Sequence, residues 1–244
     1  MADEYDRLRP GPPAAALAWL VPQNCEVAVD LAAGTGLFTR ALQPRVMRVV
    51  AVEPDDRMRA VLAARSPGVR AVAGRGEAIP LPDASADAVF VSSAWHWLDP
   101  VRAVAEIARV LRDGGRLGLI WTGRDRRTAD WMAALDMVHS REAVASDQDA
   151  VSRPRHRHEV TLPDDAPFEN MASASFTFAR TMTVDDAVGW QATYSRVIVA
   201  ADGERADRLA SARDALRGQA DSSGMVEIPM RSACWRADRA HRPG

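Results

Sequence analysis

Two carboxylates and one histidine stand where this chain could do chemistry. Asp30 ends the apolar run from Val27 and precedes the small-residue stretch Ala32-Ala33-Gly34-Thr35-Gly36. Glu53 ends the next apolar run, Val46–Val52, 17 positions after Gly36 (53 − 36). His96 lies between two indoles in Ser92-Ser93-Ala94-Trp95-His96-Trp97. Small residues after a strand let backbone approach a ligand, and the next helix aims its first amides at that ligand. The dinucleotide fingerprint needs three glycines to admit a pyrophosphate. Here there are two, and a carboxylate at Asp30 would repel such a group, so a ligand with a cationic amino group fits better. Glu53 suits the paired hydroxyls of a ribose; its other reading is a helix-start carboxylate before Pro54. His96 is a natural base near neutral pH, the alternative being a ring packed between Trp95 and Trp97 to shape a pocket.

The elements that must position these residues alternate strand and helix. Pro12-Pro13 can open a helix that continues through Ala14–Leu20. Strands are expected at Val27–Leu31, Val46–Val52, Val69–Ala73, Asp87–Val91 and Arg116–Trp121, with helices at Leu37–Leu42, Asp55–Ala64 and Pro100–Arg112. In the last helix Val101, Val104, Ala105, Ala108 and Leu111 form one apolar stripe. Asp113-Gly114-Gly115 reads as a tight turn. This order predicts an α/β fold, a doubly wound, Rossmann-like, mostly parallel sheet. Beyond it, Arg141–Pro167 reads as a polar surface loop. A half-exposed strand at Ala172–Phe178, helices at Val184–Tyr194 and Glu204–Arg217, and a strand at Met225–Trp235 predict a C-terminal antiparallel pair with a small lid. The expected organisation is an N-terminal cap helix over 1–25, a ligand-binding core over 26–125, a flexible loop and strand over 126–183, and lid helices with the last strand over 184–244.

From Tyr5 to about Asp125 the chain resembles the class I S-adenosylmethionine-dependent methyltransferases of the "type 11" group. The resemblance rests on Val27–Arg40, on Glu53, and on Gly74-Arg75-Gly76-Glu77-Ala78-Ile79-Pro80-Leu81-Pro82, which is similar to that group's adenine-binding loop. Asp83–Asp87, Ser92–Trp97 and Leu111–Leu117 continue the match in order. Trp95-His96-Trp97-Leu98-Asp99, with Tyr5–Pro10 in front, is most similar to a trans-aconitate-methyltransferase-like branch. The resemblance implies S-adenosylmethionine as cofactor, S-adenosylhomocysteine as product, and a small-molecule acceptor methylated on O or N, a secondary metabolite or a carboxylate. It implies that Tyr5 and Arg9 contact donor or substrate carboxylate, that Asp30, Ala32, Gly34, Thr35, Gly36, Ser93 and Ala94 surround the methionine moiety, that Glu53 and Pro54 sit at the ribose, and that Met58, Gly76 and Glu77 enclose adenine. His96 is the candidate base. Trp95, Trp97, Trp190, Tyr194 and Arg196 are candidate acceptor contacts. Two positions depart from the group. Ala32 replaces a frequent Gly, tolerable at negative φ, and Arg75 replaces an acid that would accept from the adenine amino group, which an Arg cannot do. A non-methylating or structural use of the same cofactor and a nicotinamide oxidoreductase are the alternatives.

Composition narrows the classes. Net charge of −2 and a pI near 6.2 give no electrostatic reason to expect nucleic acid. All 31 basic residues are Arg, scattered along the chain, as a GC-rich bacterial codon bias would produce. Met1–Pro10 is acidic and polar where a secretion signal is basic then apolar, and Ala14–Val21 is too short to span a bilayer, so a cytosolic protein without membrane contact is expected. Cys25 and Cys234 belong to no metal-ligand spacing, and in a reducing compartment they stay unpaired. His156 and His158 lack a Cys or carboxylate at ligand spacing and read as a solvated loop. No metal is expected, and oligomeric state is not encoded legibly.

Overall fold

Alternating side chains along short strands decide the architecture. Val27, Val29 and Leu31 on β1 (Val27–Leu31) face one side of a sheet, while Ala28 and Asp30 face the other. The computed structural model describes residues 6–126, 131, 160–194, 197 and 200–241. With β2 (Arg48–Val52), β3 (Arg70–Val72), β4 (Ala86–Ser92), β5 (Leu111–Arg124), β6 (Phe168–Thr183) and β7 (Met225–Arg239), the sheet has seven strands in the order β3-β2-β1-β4-β5-β7-β6. Strands β1 to β5 pair in parallel, and the C-terminal strands bring in the antiparallel part.

Helices cover both faces of the parallel part. On the face of Val29, Val89 and Leu119 lies α4 (Pro100–Val110), burying Val104, Ile107 and Ala108. On the face of Ala28, Ala88 and Phe90 lie α1 (Ala14–Leu20) and α2 (Leu37–Leu42) through Leu17, Leu20, Phe38 and Leu42. Of the expected stripe, Val104, Ala108 and Leu111 are buried, but Val101 and Ala105 are exposed. Ala103, Ile107 and Val110 complete the face that seats α4, each fully buried Leu or Ile contributing roughly 1.5–3 kcal/mol. Asp99 caps α4 by accepting from the Val101 and Arg102 amides at 3.0 and 3.2 Å, with Pro100 at the first helical position. Asp55 does the same for α3 (Asp56–Arg65).

The chain divides into two compact units. The core unit comprises Gly11–Thr122, Pro154–Phe176 and Ser232–Gly244; the second comprises Met1–Pro10, Gly123–Arg153 and Thr177–Arg231. In the second unit α5 (Val184–Ala192) and α6 (Asp202–Arg217) bury Val188, Trp190, Ala212 and Leu216 against Met182, Val226, Ile228 and Met230. The three C-terminal strands run longer than the alternation predicts. Asp113-Gly114-Gly115 does not precede β5 but lies inside it: Ala86 pairs with Leu111 and Ala88 with Arg116, so the glycines form a bulge, with Gly114 at φ 73°.

Candidate active site

The loop after β1 is a strained piece of backbone. Ala32 and Gly34 both have φ of 57°, and Gly36 has 82°. Ala32 therefore does not take the negative φ that would excuse its methyl group; this L residue sits in the left-handed region, at a cost of roughly 1–2 kcal/mol. The loop is fixed by the Ala33 amide donating to Val52 O at 3.1 Å and the Gly36 amide to Ala33 O at 3.0 Å. A side chain at Gly34 would meet nothing within 4 Å, so the space above this backbone is open.

Asp30 corrects an expectation. Its even position turns it to the α2 face of the sheet, where it is fully buried and accepts from Thr39 Oγ1 at 2.5 Å. Its other oxygen, Oδ1, is buried without a partner. Burial pushes its carboxyl up to about 7, with the Thr39 bond opposing and the nearby Glu53 charge adding to the rise. A carboxylate enclosed in this way does not face a cationic ligand directly. Thr35 is buried as well.

Glu53 is placed as its spacing predicts, at the carboxyl end of β2. One oxygen accepts from the Gly34 amide at 2.8 Å and the other from the Asp55 amide at 2.9 Å. Capping of α3 is thus the work of Asp55, and Glu53 ties the β1 loop to the β2 end. A carboxylate offers about four lone-pair sites, so two remain for a pair of hydroxyls. Pro54 is exposed and Met58 half-buried.

At the end of β4, Ser93 is exposed at φ 56°, and its amide donates to Ile120 O at 2.8 Å. Ala94 is buried. In the 3-10 turn Trp95–Trp97 the three rings part company. Trp95 is buried in the apolar core cluster that also holds Val104 and Ile107, and so is packing rather than pocket wall. His96 and Trp97 are exposed, their ring centroids 4.8 Å apart at 42°, and Trp97 keeps 76% of its surface open.

The segment after β3 is closely held. Gly76 is buried against Leu98, where a Cβ would lie 2.8 Å from a methyl carbon, and Ala78 N donates to Arg75 O at 3.1 Å. Glu77, expected to help enclose adenine, spends one oxygen on the Asp99 amide at 2.9 Å. The Arg75 side chain is exposed.

A methyltransferase-domain family model matches residues 29–119, the stretch from β1 into β5. An uncharacterized methyltransferase of Mycobacterium tuberculosis is 39% identical over 239 residues, covering 97% of this chain and 93% of the relative. The chain belongs to the class I S-adenosylmethionine-dependent methyltransferases. An uncharacterized methyltransferase-like protein of Schizosaccharomyces pombe is 31% identical over 188 residues, 75% of this chain and 71% of its own. A solved structure from Anaeromyxobacter dehalogenans, described as a type II methyltransferase, shares the fold with a TM-score of 0.66 at 24% identity, covering 96% of this chain and 99% of that one. Family membership replaces the nicotinamide alternative. The residues present fit the family's cofactor: open space above Gly34, and Glu53 with acceptor capacity for a diol.

The other candidates of this methyltransferase lie in its second unit or outside the described residues. Trp190 is fully buried in the apolar cluster, its indole nitrogen without a partner, so it is core and not an acceptor contact. Tyr194 is half-buried, 6.1 Å from Trp190, with the guanidinium carbons of Arg9 and Arg124 at 4.5 and 5.6 Å from its ring. Arg9 also donates to Thr193 Oγ1 and O at 3.1 Å each. Tyr5, Arg196, His156 and His158 fall outside the described residues. Cys25 and Cys234 are free and buried, and burial pushes their thiols up to about 11 and 12. No helix among the described residues is long and apolar enough to cross a membrane. Sequence reasoning missed Thr39 as the partner of Asp30, and the Glu106–Arg109 pair of α4. Asp99 caps the helix whose start at Pro100 the sequence predicts.

Proposed function

We propose that this methyltransferase transfers the methyl group of S-adenosylmethionine to an oxygen or nitrogen of a small molecule, a secondary metabolite or a carboxylate. One observation carries the reading: Ala32, Glu53 and Ser93 stand at the carboxyl ends of the neighbouring strands β1, β2 and β4, the edge at which open α/β sheets bind ligands. In this reading the backbone at Ala32, Gly34 and Ser93 holds the methionine moiety, Glu53 the ribose, and Gly76 with Met58 the purine. The bound donor supplies an electrophilic methyl on a sulfonium whose leaving group is neutral. The protein's task is then alignment and exclusion of water. His96, exposed after β4 and braced by the Trp97 ring, accepts the acceptor's proton, and the open face of Trp97 takes a planar or apolar part of the acceptor.

The test is incubation with methyl-labelled donor and a panel of phenols, amines and carboxylic acids, alongside donor-product calorimetry. Transfer to a panel member is expected, with His96→Ala lowering kcat by about 10²–10⁴ while S-adenosylhomocysteine affinity is unchanged. An unaltered kcat would leave His96 as a wall and not a base. Donor binding with no transfer to any acceptor would favour a non-methylating use of the cofactor.

A further inference from the structure

The segment that follows β3 is held from outside by one pair of side chains. Glu106 and Arg109 lie one turn apart on α4, joined by Arg109 Nε to Glu106 Oε1 at 2.7 Å and Nη2 to Oε2 at 2.9 Å. Together they clasp the backbone of the neighbouring segment on both polarities. Glu106 accepts the Ile79 amide at 2.7 Å; Arg109 donates to Ile79 O and Leu81 O, both at 2.8 Å, and to Asp83 at 2.7 Å. The bond to Arg109 holds the Glu106 carboxyl below its usual range, and the two carboxylates hold the guanidinium above its own. At the other end of the helix, the Asp99 amide takes Glu77 and Leu98 packs on Gly76. The backbone from Gly76 to Asp83 is therefore fixed by α4 and the residues just before it. Arg75, just before this stretch, is exposed and cannot accept a hydrogen bond.

The strand order gives this segment a place in the site. With the methionine end at β1 and β4 and the ribose at β2, the next strand outward is β3, so the nucleobase falls to the segment that leaves β3. With Arg75 unable to accept from a purine amino group, recognition of the base falls to the backbone and to the second oxygen of Glu77, and these groups discriminate only where they are held still. We propose that Glu106 and Arg109 are positioning residues that set the nucleobase selectivity of the donor site by fixing the backbone of Gly76–Leu81. This rests on the reading of that segment as the adenine-side wall. Neither residue touches the donor itself. A site built to hydrogen-bond one polar group rejects an analogue that leaves it unpaired, provided the site cannot relax around the change.

Calorimetry on the full chain with S-adenosylhomocysteine and its 6-oxopurine analogue, S-inosylhomocysteine, tests this. The unaltered protein is expected to prefer the adenine compound at least tenfold. Arg109→Ala is expected to weaken S-adenosylhomocysteine about tenfold and to bring the ratio of the two affinities to within about threefold. Glu106→Gln, which keeps shape and an acceptor for Ile79, guards against misfolding and is expected to lower the ratio by less; Arg109→Lys is expected to restore part of it. General destabilisation weakens both ligands alike and leaves the ratio unmoved. An unchanged ratio in Arg109→Ala and Glu106→Gln overturns the proposal, as does an unaltered protein that binds both compounds equally. Failure of the unaltered protein to bind S-adenosylhomocysteine at all would instead sink the donor reading beneath it.

Discussion

The strand-end loops of the core unit and the cluster around Trp190 in the second unit are built on opposite terms. In the loops, local cost is tolerated: Ala32 and Ser93 hold left-handed backbone, and Asp30 is buried with one oxygen lacking a partner. Around Trp190 the side chains are apolar and enclosed, and nearby arginines are turned onto carbonyls, Arg9 onto Thr193 and Arg180 onto Leu8 at 2.8 Å. Strain and buried charge persist where a surrounding structure over-determines them, as ligand sites do. Close packing marks a region that stabilises. Residue type does not separate the two: Trp97 is 76% exposed and Trp190 fully buried.

The largest expected effect breaks the second unit. Trp190→Ala leaves a cavity among Val188, Leu216 and Ile228 and is expected to cost about 3–5 kcal/mol in urea unfolding. Trp190→Phe should cost far less, because no hydrogen bond of the indole nitrogen is lost. A loss below about 1 kcal/mol for the alanine variant would mean that this cluster is not the packed half of the comparison.

Legibility followed the same division. The strands and helices of the parallel sheet were readable because each buries one stripe or one face, and Val27–Leu31, Leu37–Leu42 and the start of α4 at Pro100 fall where periodicity places them. Strand ends were not readable where strands are long. β6 spans Phe168–Thr183 with only one half-buried face, and its polar alternate residues look like loop. The place of Glu53 at the end of β2 was legible from position alone, and the structure separates it from the capping role, which falls to Asp55. Asp30 was misread because its place beside the glycines drew attention from its parity, which sends it under α2 toward Thr39. The Glu106–Arg109 clasp was invisible because its targets, Ile79 and Leu81, lie 27 to 30 positions away in sequence.

A smaller effect sharpens the account of the loops through pH. The Asp30 carboxyl stands near 7 in the folded chain against an ordinary 3.8. Between those values the folded protein retains a proton that the unfolded chain releases, so stability falls as pH rises from about 4 to about 7 and levels above it. The fall is expected to be on the order of 4 kcal/mol. Asp30→Asn, neutral throughout, should flatten this part of the profile in urea midpoints taken at pH 5, 6, 7 and 8. Parallel profiles for the two proteins would show that Asp30 is ionised in the fold and that the loop carries no buried-charge cost.

The smallest effect tests the backbone strain itself. Ala32 at φ 57° costs roughly 1–2 kcal/mol relative to an unstrained L residue. Glycine removes that cost but adds freedom to the unfolded chain worth about 0.4–1 kcal/mol. Ala32→Gly is therefore expected to stabilise by at most about 1.5 kcal/mol, with S-adenosylhomocysteine affinity within twofold of the unaltered protein, since the backbone that would meet the ligand keeps its shape. Gly34→Ala is the mirror experiment. It has the same φ and open space for a methyl group, so its loss of about 1 kcal/mol measures backbone strain without a packing clash. A destabilising Ala32→Gly would mean that the alanine methyl makes a contact worth more than the strain it imposes. The loop after β1 would then be held by packing, as the cluster around Trp190 is, and the contrast between the two regions would fail at its most exposed point.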